Sequence, residues 1–382
     1  MAAIRPGALD PARPLAAVPP GDPGDPGLAE SVARCLNDFF TARRGAADPT
    51  DPRFDGEVVA RLERFTLLGG KRIRPTFAWW GWRAGGGPGS GPGAAAALRA
   101  VSALELIQSC ALIQDDVMDG SPTRRGQPAL HREYAEAHRS GSLRGSPRRY
   151  GESVAVLAGD LALAWADDML DDALDGTDRR ARVRAPWRAM RTEMIAGQFL
   201  DLHAQAQADV SEPTALRVAR LKTAAYSVER PLEFGAALAG AGSGAVAALR
   251  SYGSDVGTAY QLRDDLLGVY GDPAATGKPI GDDIREGKPT LLLAIGLRRA
   301  RERGDPAAAD TLRGAVGDPG LTDADVRAVG ALLDDLAARS AVEAHMRALL
   351  DSGLAHLAGA PFAATARDAL TALAGHAVAR LR

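Results

Sequence analysis

The sequence predicts an all-α protein folded as one domain of ten or more helices, from about residue 28 to residue 382. Three observations lead there. From Leu28 onward the chain is dominated by Ala, Leu, Arg and Glu, which are good helix formers. Aromatic residues make up only 5% of the chain, and alternating β-branched strand patterns are hard to find. Apolar residues account for 46% of 382, enough to bury a large core.

Taken in order, residues 1–27 are rich in Pro, Gly, Ala and Asp and read as a disordered tail. They lack the apolar core of a signal peptide. GGGPGSGPG (85–93) reads as a connector between helices. With no strand before it and no Gly-Lys-Ser/Thr ending, it is not a phosphate loop, and GKPT (287–290) fails the same test. AAAALRAVSALELIQSCALIQ (94–114) reads as a helix, with Leu104, Ile107, Ala111 and Leu112 spaced by three and four along an apolar face. HRSGSLRGSPRRYGES (138–153) reads as a long polar surface loop. Helical patterning resumes after each interruption, so neither divides the domain.

The net charge of −2 gives no argument for nucleic acid or an anionic membrane as partner. No uncharged apolar run reaches the roughly 18 residues of a membrane span, so none is expected. The two cysteines, Cys35 and Cys110, offer neither zinc spacing nor a disulfide framework, and a reducing cytoplasm is the expected location.

The chemistry concentrates in ALIQDDVMDGSPTRRG (111–126). Asp115 and Asp119 lie one helical turn apart on one face, with Asp116 between them. Like charges at this spacing, near a helix C-terminus, oppose local stability. A divalent cation bridging the carboxylates would reverse that, and hard oxygen donors of this kind suit Mg²⁺, which also takes phosphate oxygens. Asp167, Asp168 and Asp171 repeat the spacing in a generally acidic stretch and read as a solvated face. The first copy differs because Arg124 and Arg125 follow at once. A second acidic pair, Asp264 and Asp265, is followed by Lys278 and Lys288, and GGKRIRP (69–75) contributes Lys71, Arg72 and Arg74. Acidic walls for a metal beside basic groups for two anions fit an organic diphosphate substrate.

These segments resemble the trans-isoprenyl diphosphate synthases, or polyprenyl synthetases. GGKRIRP, DDVMDGSPTRRG, GQFLDL (197–202), LKTAAYS (221–227) and QLRDDLLGVYGD fall in that family's order between about residues 60 and 295. The resemblance implies an isoprenoid synthase fold, all-α around a deep central cavity and usually homodimeric. It implies Mg²⁺-dependent condensation of isopentenyl diphosphate with an allylic diphosphate. By motif, Asp115 and Asp119 match the first metal ligands, supported by Asp116, and Asp264 matches a third, with Asp265 beside it. Lys71 and Arg74 match the isopentenyl diphosphate clamp, with Gln108 and Arg125 facing the same substrate. Arg124, Lys222, Thr223, Gln261 and Lys278 match positions around the allylic diphosphate, and Lys288 is a further candidate for binding substrate.

The second motif departs from the family's DDxxD, reading DDLLG with Gly268 in the last place; Asp272, a turn further on, is a candidate replacement. Gln114 stands where many members have histidine. Cys110 and Ala111, one turn before Asp115, are small where short-product members carry bulky aromatics. The expected product is therefore C20 or longer, geranylgeranyl diphosphate first; farnesyl and longer polyprenyl diphosphates are the alternatives. Two further readings are a class I terpene cyclase and a non-catalytic regulatory subunit. The cyclase's Asn-, Ser- and Glu-based second motif is missing, since Asn occurs once, at Asn37.

Overall fold

The computed structural model describes residues 26–44, 50–271 and 280–378. The expected N-terminal tail, apart from its last two residues, and the candidates Asp272 and Lys278 lie outside the described residues. The described residues are helical almost throughout, with helices α1 (Pro26–Arg44), α2 (Pro52–Phe54), α3 (Ala60–Leu67), α4 (Ile73–Ala84), α5 (Pro92–Ser102), α6 (Leu104–Met118), α7 (Leu130–Ser140), α8 (Pro147–Leu174), α9 (Arg179–Gln207), α10 (Glu212–Val218), α11 (Arg230–Ala239) and α12 (Ser243–Tyr270). Two π-helical segments, Asp55–Val59 and Ala219–Glu229, join α2 to α3 and α10 to α11. The helices α13 (Asp282–Arg285), α14 (Leu291–Glu302), α15 (Pro306–Ala315), α16 (Asp323–Asp335), α17 (Ala338–Ala358) and α18 (Ala364–Val378) complete the chain. Among the described residues the extended structure is one pair of two-residue strands, β1 (Thr123–Arg124) and β2 (Gln127–Pro128).

Several boundaries differ from expectation. The first helix begins at Pro26, inside the expected tail. The loop expected over 138–153 shrinks to 141–146, because Ser146 caps α8 and Pro147 opens it, as a proline in the first helical turn can. Residues 148–153 are the opening turns of α8 rather than a loop, with Arg148, Arg149 and Ser153 exposed. The 94–114 helix breaks at Ala103 into α5 and α6, and α6 shows no single apolar face: Leu104, Leu106, Ile107, Cys110 and Ile113 are all buried, together with Glu105 and Ser109. A helix buried almost all round is a central helix. The stretch Pro92–Met118 is long and apolar enough to cross a membrane, but 72% of that apolar window is buried inside the protein, so its apolarity serves the core.

Two apolar clusters share α12. Its first half, with Leu249, Tyr252 and Val256, packs into the larger cluster with side chains of α1, α4 to α9, α11 and α18. Its second half, with Leu262, Leu266 and Val269, packs into a cluster with Leu292, Leu312, Val326 and Leu333 of α14 to α16. The second acidic pair therefore sits on a helix held at both ends.

Candidate active site

The C-terminal turn of α6 carries Asp115 and Asp116, and Asp119 caps it. The chain then turns back through β1 and β2, where Arg125 and Gly126 form the two-residue loop with φ of +54° and +73°. Positive φ at both positions is what a type I′ hairpin requires. The turn sends the neighbouring arginines in different directions. Arg124 donates through Nε to Asp116 Oδ1 at 2.8 Å and reaches Asp115 Oδ2 at 3.4 Å. Arg125 donates to the Leu68 carbonyl at 2.9 Å and lies over the Phe65 ring. Between them opens a cavity of about 620 Å³ lined by Arg64, Phe65, Gly70, Arg124, Arg125 and Gln127, among others.

A third wall comes from the π-helical segment. Gly197 of α9 permits it: a Cβ there would lie 2.3 Å from the Lys222 backbone nitrogen, so only glycine lets the two elements approach this closely. Lys222 bonds Asp201 Oδ2 at 2.6 Å and Asp115 Oδ1 at 3.3 Å, and half-buried Thr223 follows it. A π-helix bonds i to i+5, so residues four and five apart share a side. Tyr226 and Ser227 accordingly sit near Lys222's side of the segment. Tyr226 donates to Gln108 Oε1 at 2.9 Å, and Arg74 stacks 4.1 Å over the Tyr226 ring and donates to Ser227 Oγ. Lys71 is exposed at the start of this wall.

The fourth wall is the end of α12 and the chain beyond it. Lys288 reaches Asp119 Oδ2 at 3.5 Å, Asp283 Oδ1 at 3.4 Å and Glu286. Asp265 is buried and accepts from Gln261 at 2.6 Å, while Asp264 is exposed.

The electrostatics follow from this packing. Burial would raise the Asp115 carboxyl, but Lys222, Lys288 and Arg124 outweigh it and hold its pKa below the ordinary value. Burial, reinforced by Asp115, pushes Asp119 up to about 6. Burial, then Asp283, raises Asp265 well above its ordinary value. Both lysines are raised: burial would lower them, but Asp115 and Asp201 prevail at Lys222, and Asp283, Glu286 and Asp119 prevail at Lys288.

These donors fit Mg²⁺. They are carboxylate oxygens, two of them a turn apart, and the mutual repulsion between Asp115 and Asp119 is what a divalent cation relieves. Among the described residues no group of three His, Cys, Asp or Glu side chains converges to hold a metal alone. A cation here would complete its shell with phosphate oxygens, as Mg²⁺ commonly does.

The structure redistributes several sequence candidates. Arg72, read as part of the anion grip, is buried. It pairs with Glu105 and donates to the Thr66 carbonyl at 3.0 Å, so its charge is spent inside the fold. Cys110 packs in the core and Ala111 is half-buried. Gln114 donates to Asp160 on α8. The second DDxxD is ion-paired at the surface: Asp167 with Arg191, Asp168 with Arg43 and Asp171 with Arg180. Sequence reasoning left Asp201, Tyr226, Ser227 and Asp283 unassigned. The first three lie inside quoted motifs, whose spacing was the available signal; Asp283 becomes visible only through the gap at Gly268.

Comparison with known proteins bears on this arrangement directly. The description of the polyprenyl synthetases matches residues 57–329, most of the chain and all four walls of the site. The chain belongs to the polyprenyl synthetase family. Among solved polyprenyl synthetases and related structures, it is similar to a geranylgeranyl pyrophosphate synthase from Corynebacterium glutamicum complexed with isoprenyl diphosphate and magnesium. That likeness has 45% identity and a TM-score of 0.86, covering 92% of this chain and 98% of the other. It is 34% identical over 247 residues to a short chain isoprenyl diphosphate synthase of Methanothermobacter thermautotrophicus, 64% of this chain and 69% of the relative. A geranylfarnesyl diphosphate synthase of Aeropyrum pernix is 33% identical over 299 residues, 74% and 88% respectively. This polyprenyl synthetase is a trans-prenyl diphosphate synthase with the all-α fold of its relatives, whose names differ in product length.

Proposed function

We propose that the enzyme condenses isopentenyl diphosphate with an allylic diphosphate, with Mg²⁺ as cofactor, and releases an all-trans product of C20 or longer, geranylgeranyl diphosphate first. The observation that carries this reading is the convergence of Asp115 and Asp119 with Lys222, Lys288 and Arg124 beside a basic cavity of about 620 Å³. Asp115 and Asp119 would hold the metal. Mg²⁺ bound there supplies Lewis-acid stabilisation of the charge on the leaving diphosphate. Lys222, Lys288 and Arg124 would bind the leaving diphosphate and fix the direction of its departure. Arg74, Gln108, Lys71 and Arg125 orient the second diphosphate, so that its double bond attacks the allylic carbon before water can. The proton lost from the new chain goes to the departed diphosphate, and no protein nucleophile is required.

Small side chains at Cys110 and Ala111 support the longer product. Incubation with isopentenyl diphosphate, Mg²⁺ and C5, C10 or C15 primers should give C20 or longer chains by mass spectrometry. Cys110→Phe and Ala111→Phe should shorten them. An unchanged length from both folded variants would remove these residues from length control, and hydrocarbon release from geranylgeranyl diphosphate alone would favour a cyclase.

A homodimer is part of the proposal. Val156 and Leu157 on α8 and Ile195 and Phe199 on α9 are exposed, the last at 62%, and are the apolar side chains that a second copy would cover. Sedimentation should give twice the 39.8 kDa chain mass; a monomer at micromolar concentration would remove the dimer. Two buried, free cysteines, Cys35 and Cys110, are consistent with the cytoplasm as the working compartment.

A further inference from the structure

One ion pair spans the basic cavity from side to side. Arg64, in the last turn of α3, donates to Glu133 in the first turn of α7, and both side chains line the cavity. Three arginines line it, and two of them are fixed by their surroundings. Arg124 is held by Asp116 at 2.8 Å. Arg125 is held by the Leu68 carbonyl at 2.9 Å, in room that Gly70 leaves: a Cβ at Gly70 would lie 3.0 Å from Arg125 Nη2. Arg64 has no such anchor. Among the described residues its side chain is bonded to Glu133 alone, and it is 51% exposed where Glu133 is 24% exposed. Glu133 is also the one acid among the residues lining the cavity. A carboxylate there repels an arriving diphosphate unless a cation covers it.

We propose that Arg64 is a further binding residue for isopentenyl diphosphate, and that Glu133 sets the strength of its grip by competing for the same guanidinium. Neither residue lies in the motifs that mark the site in the sequence, and the inference rests on reading this cavity as the place of the second diphosphate. In the unliganded arrangement the two charges cancel across the cavity. A diphosphate entering beside Arg124 and Arg125 offers Arg64 a stronger, multiply charged acceptor than one carboxylate. The exposed arginine is the partner free to turn, while Glu133 stays on α7. The diphosphate bound here is the one the product keeps, because the allylic diphosphate is the one that departs. It has to leave this cavity after every condensation, and a resident carboxylate ready to take Arg64 back keeps the hold from becoming too tight.

The test is steady-state kinetics on wild type, Arg64→Ala, Glu133→Gln and the double variant. Isopentenyl diphosphate is varied at saturating allylic diphosphate, and then the reverse. Thermal unfolding confirms that each variant is folded, as expected, since a half-exposed ion pair contributes little to stability. Arg64→Ala should raise KM for isopentenyl diphosphate roughly fivefold, about what one charge is worth across a partly hydrated gap. Glu133→Gln should lower the same KM by a similar factor, and the double variant should fall between the two. KM for the allylic substrate should not move in any of them. Shifts in the same direction in both single variants would mean a strap that only ties α3 to α7, and would overturn the inference. Unchanged KM in the folded variants would overturn it too, as would shifts confined to the allylic substrate. Wild-type protein unable to condense the two substrates would overturn the underlying reading along with the inference.

Discussion

Asp115→Ala is expected to lower kcat/KM for condensation by at least about a thousandfold, the equivalent of roughly 4 kcal/mol of lost transition-state stabilisation. Asp115 stands where the cations of three separate elements meet, Arg124 from the hairpin, Lys222 from the π-helical segment and Lys288 from beyond α12, and the last two hold its carboxyl ionised with Arg124's help. The variant should remain folded, because Lys222 keeps its 2.6 Å bond to Asp201 and Arg124 keeps Asp116. Circular dichroism and single-turnover kinetics across a Mg²⁺ series check both halves. The control is Asp167→Ala in the second DDxxD, whose partners are the buried Trp187 and the half-buried Arg191, away from the first motif's cations; its kcat/KM should stay within about twofold of wild type. Activity that survived Asp115→Ala, or fell equally in both variants, would sink the assignment of the first motif.

Arg72→Ala should cost stability instead of substrate affinity. The Arg72 and Glu105 side chains are each only 5% exposed, and removing one partner strands the other as an uncompensated buried charge. The expected loss is about 3–5 kcal/mol by denaturant unfolding. Arg72→Met combined with Glu105→Leu should recover most of it, since an apolar pair of similar volume removes both desolvation costs. Arg74→Ala, two residues on, should do the reverse, raising KM for isopentenyl diphosphate with a smaller change in stability. Wild-type stability in Arg72→Ala, with a raised KM, would return Arg72 to the substrate.

The contrast between Arg72 and Arg74 marks how far the sequence could be read. GGKRIRP shows three cations at one place, but nothing in it says which faces inward. Glu105, 33 residues away, decides that by lying opposite Arg72 once α4 and α6 pack. The left-handed backbone at Arg72, φ +47°, belongs to the same local geometry. The π-helical segment escaped for a related reason: its wider ladder breaks the 3.6-residue period that sequence patterning relies on. The loop expected over 138–153 is shorter in the structure because polar residues in the opening turns of a helix resemble a loop in composition.

The sequence by itself determined what depends on near neighbours along the chain. Helix propensity settled the all-α class. The spacing of Asp115 and Asp119 put two acids on one turn, and Arg-Gly in the hairpin loop accommodated the positive φ that separates Arg124 from Arg125. The tertiary structure decided what depends on elements far apart in sequence. It joined Lys222 to Asp115 across 107 positions, and it spent Arg72 on Glu105. It paired the second DDxxD with surface arginines and brought Asp283 into the space left by Gly268. A charge becomes a ligand, a strut or a solvated group according to the charge it faces and how much water is left between them, and packing sets both.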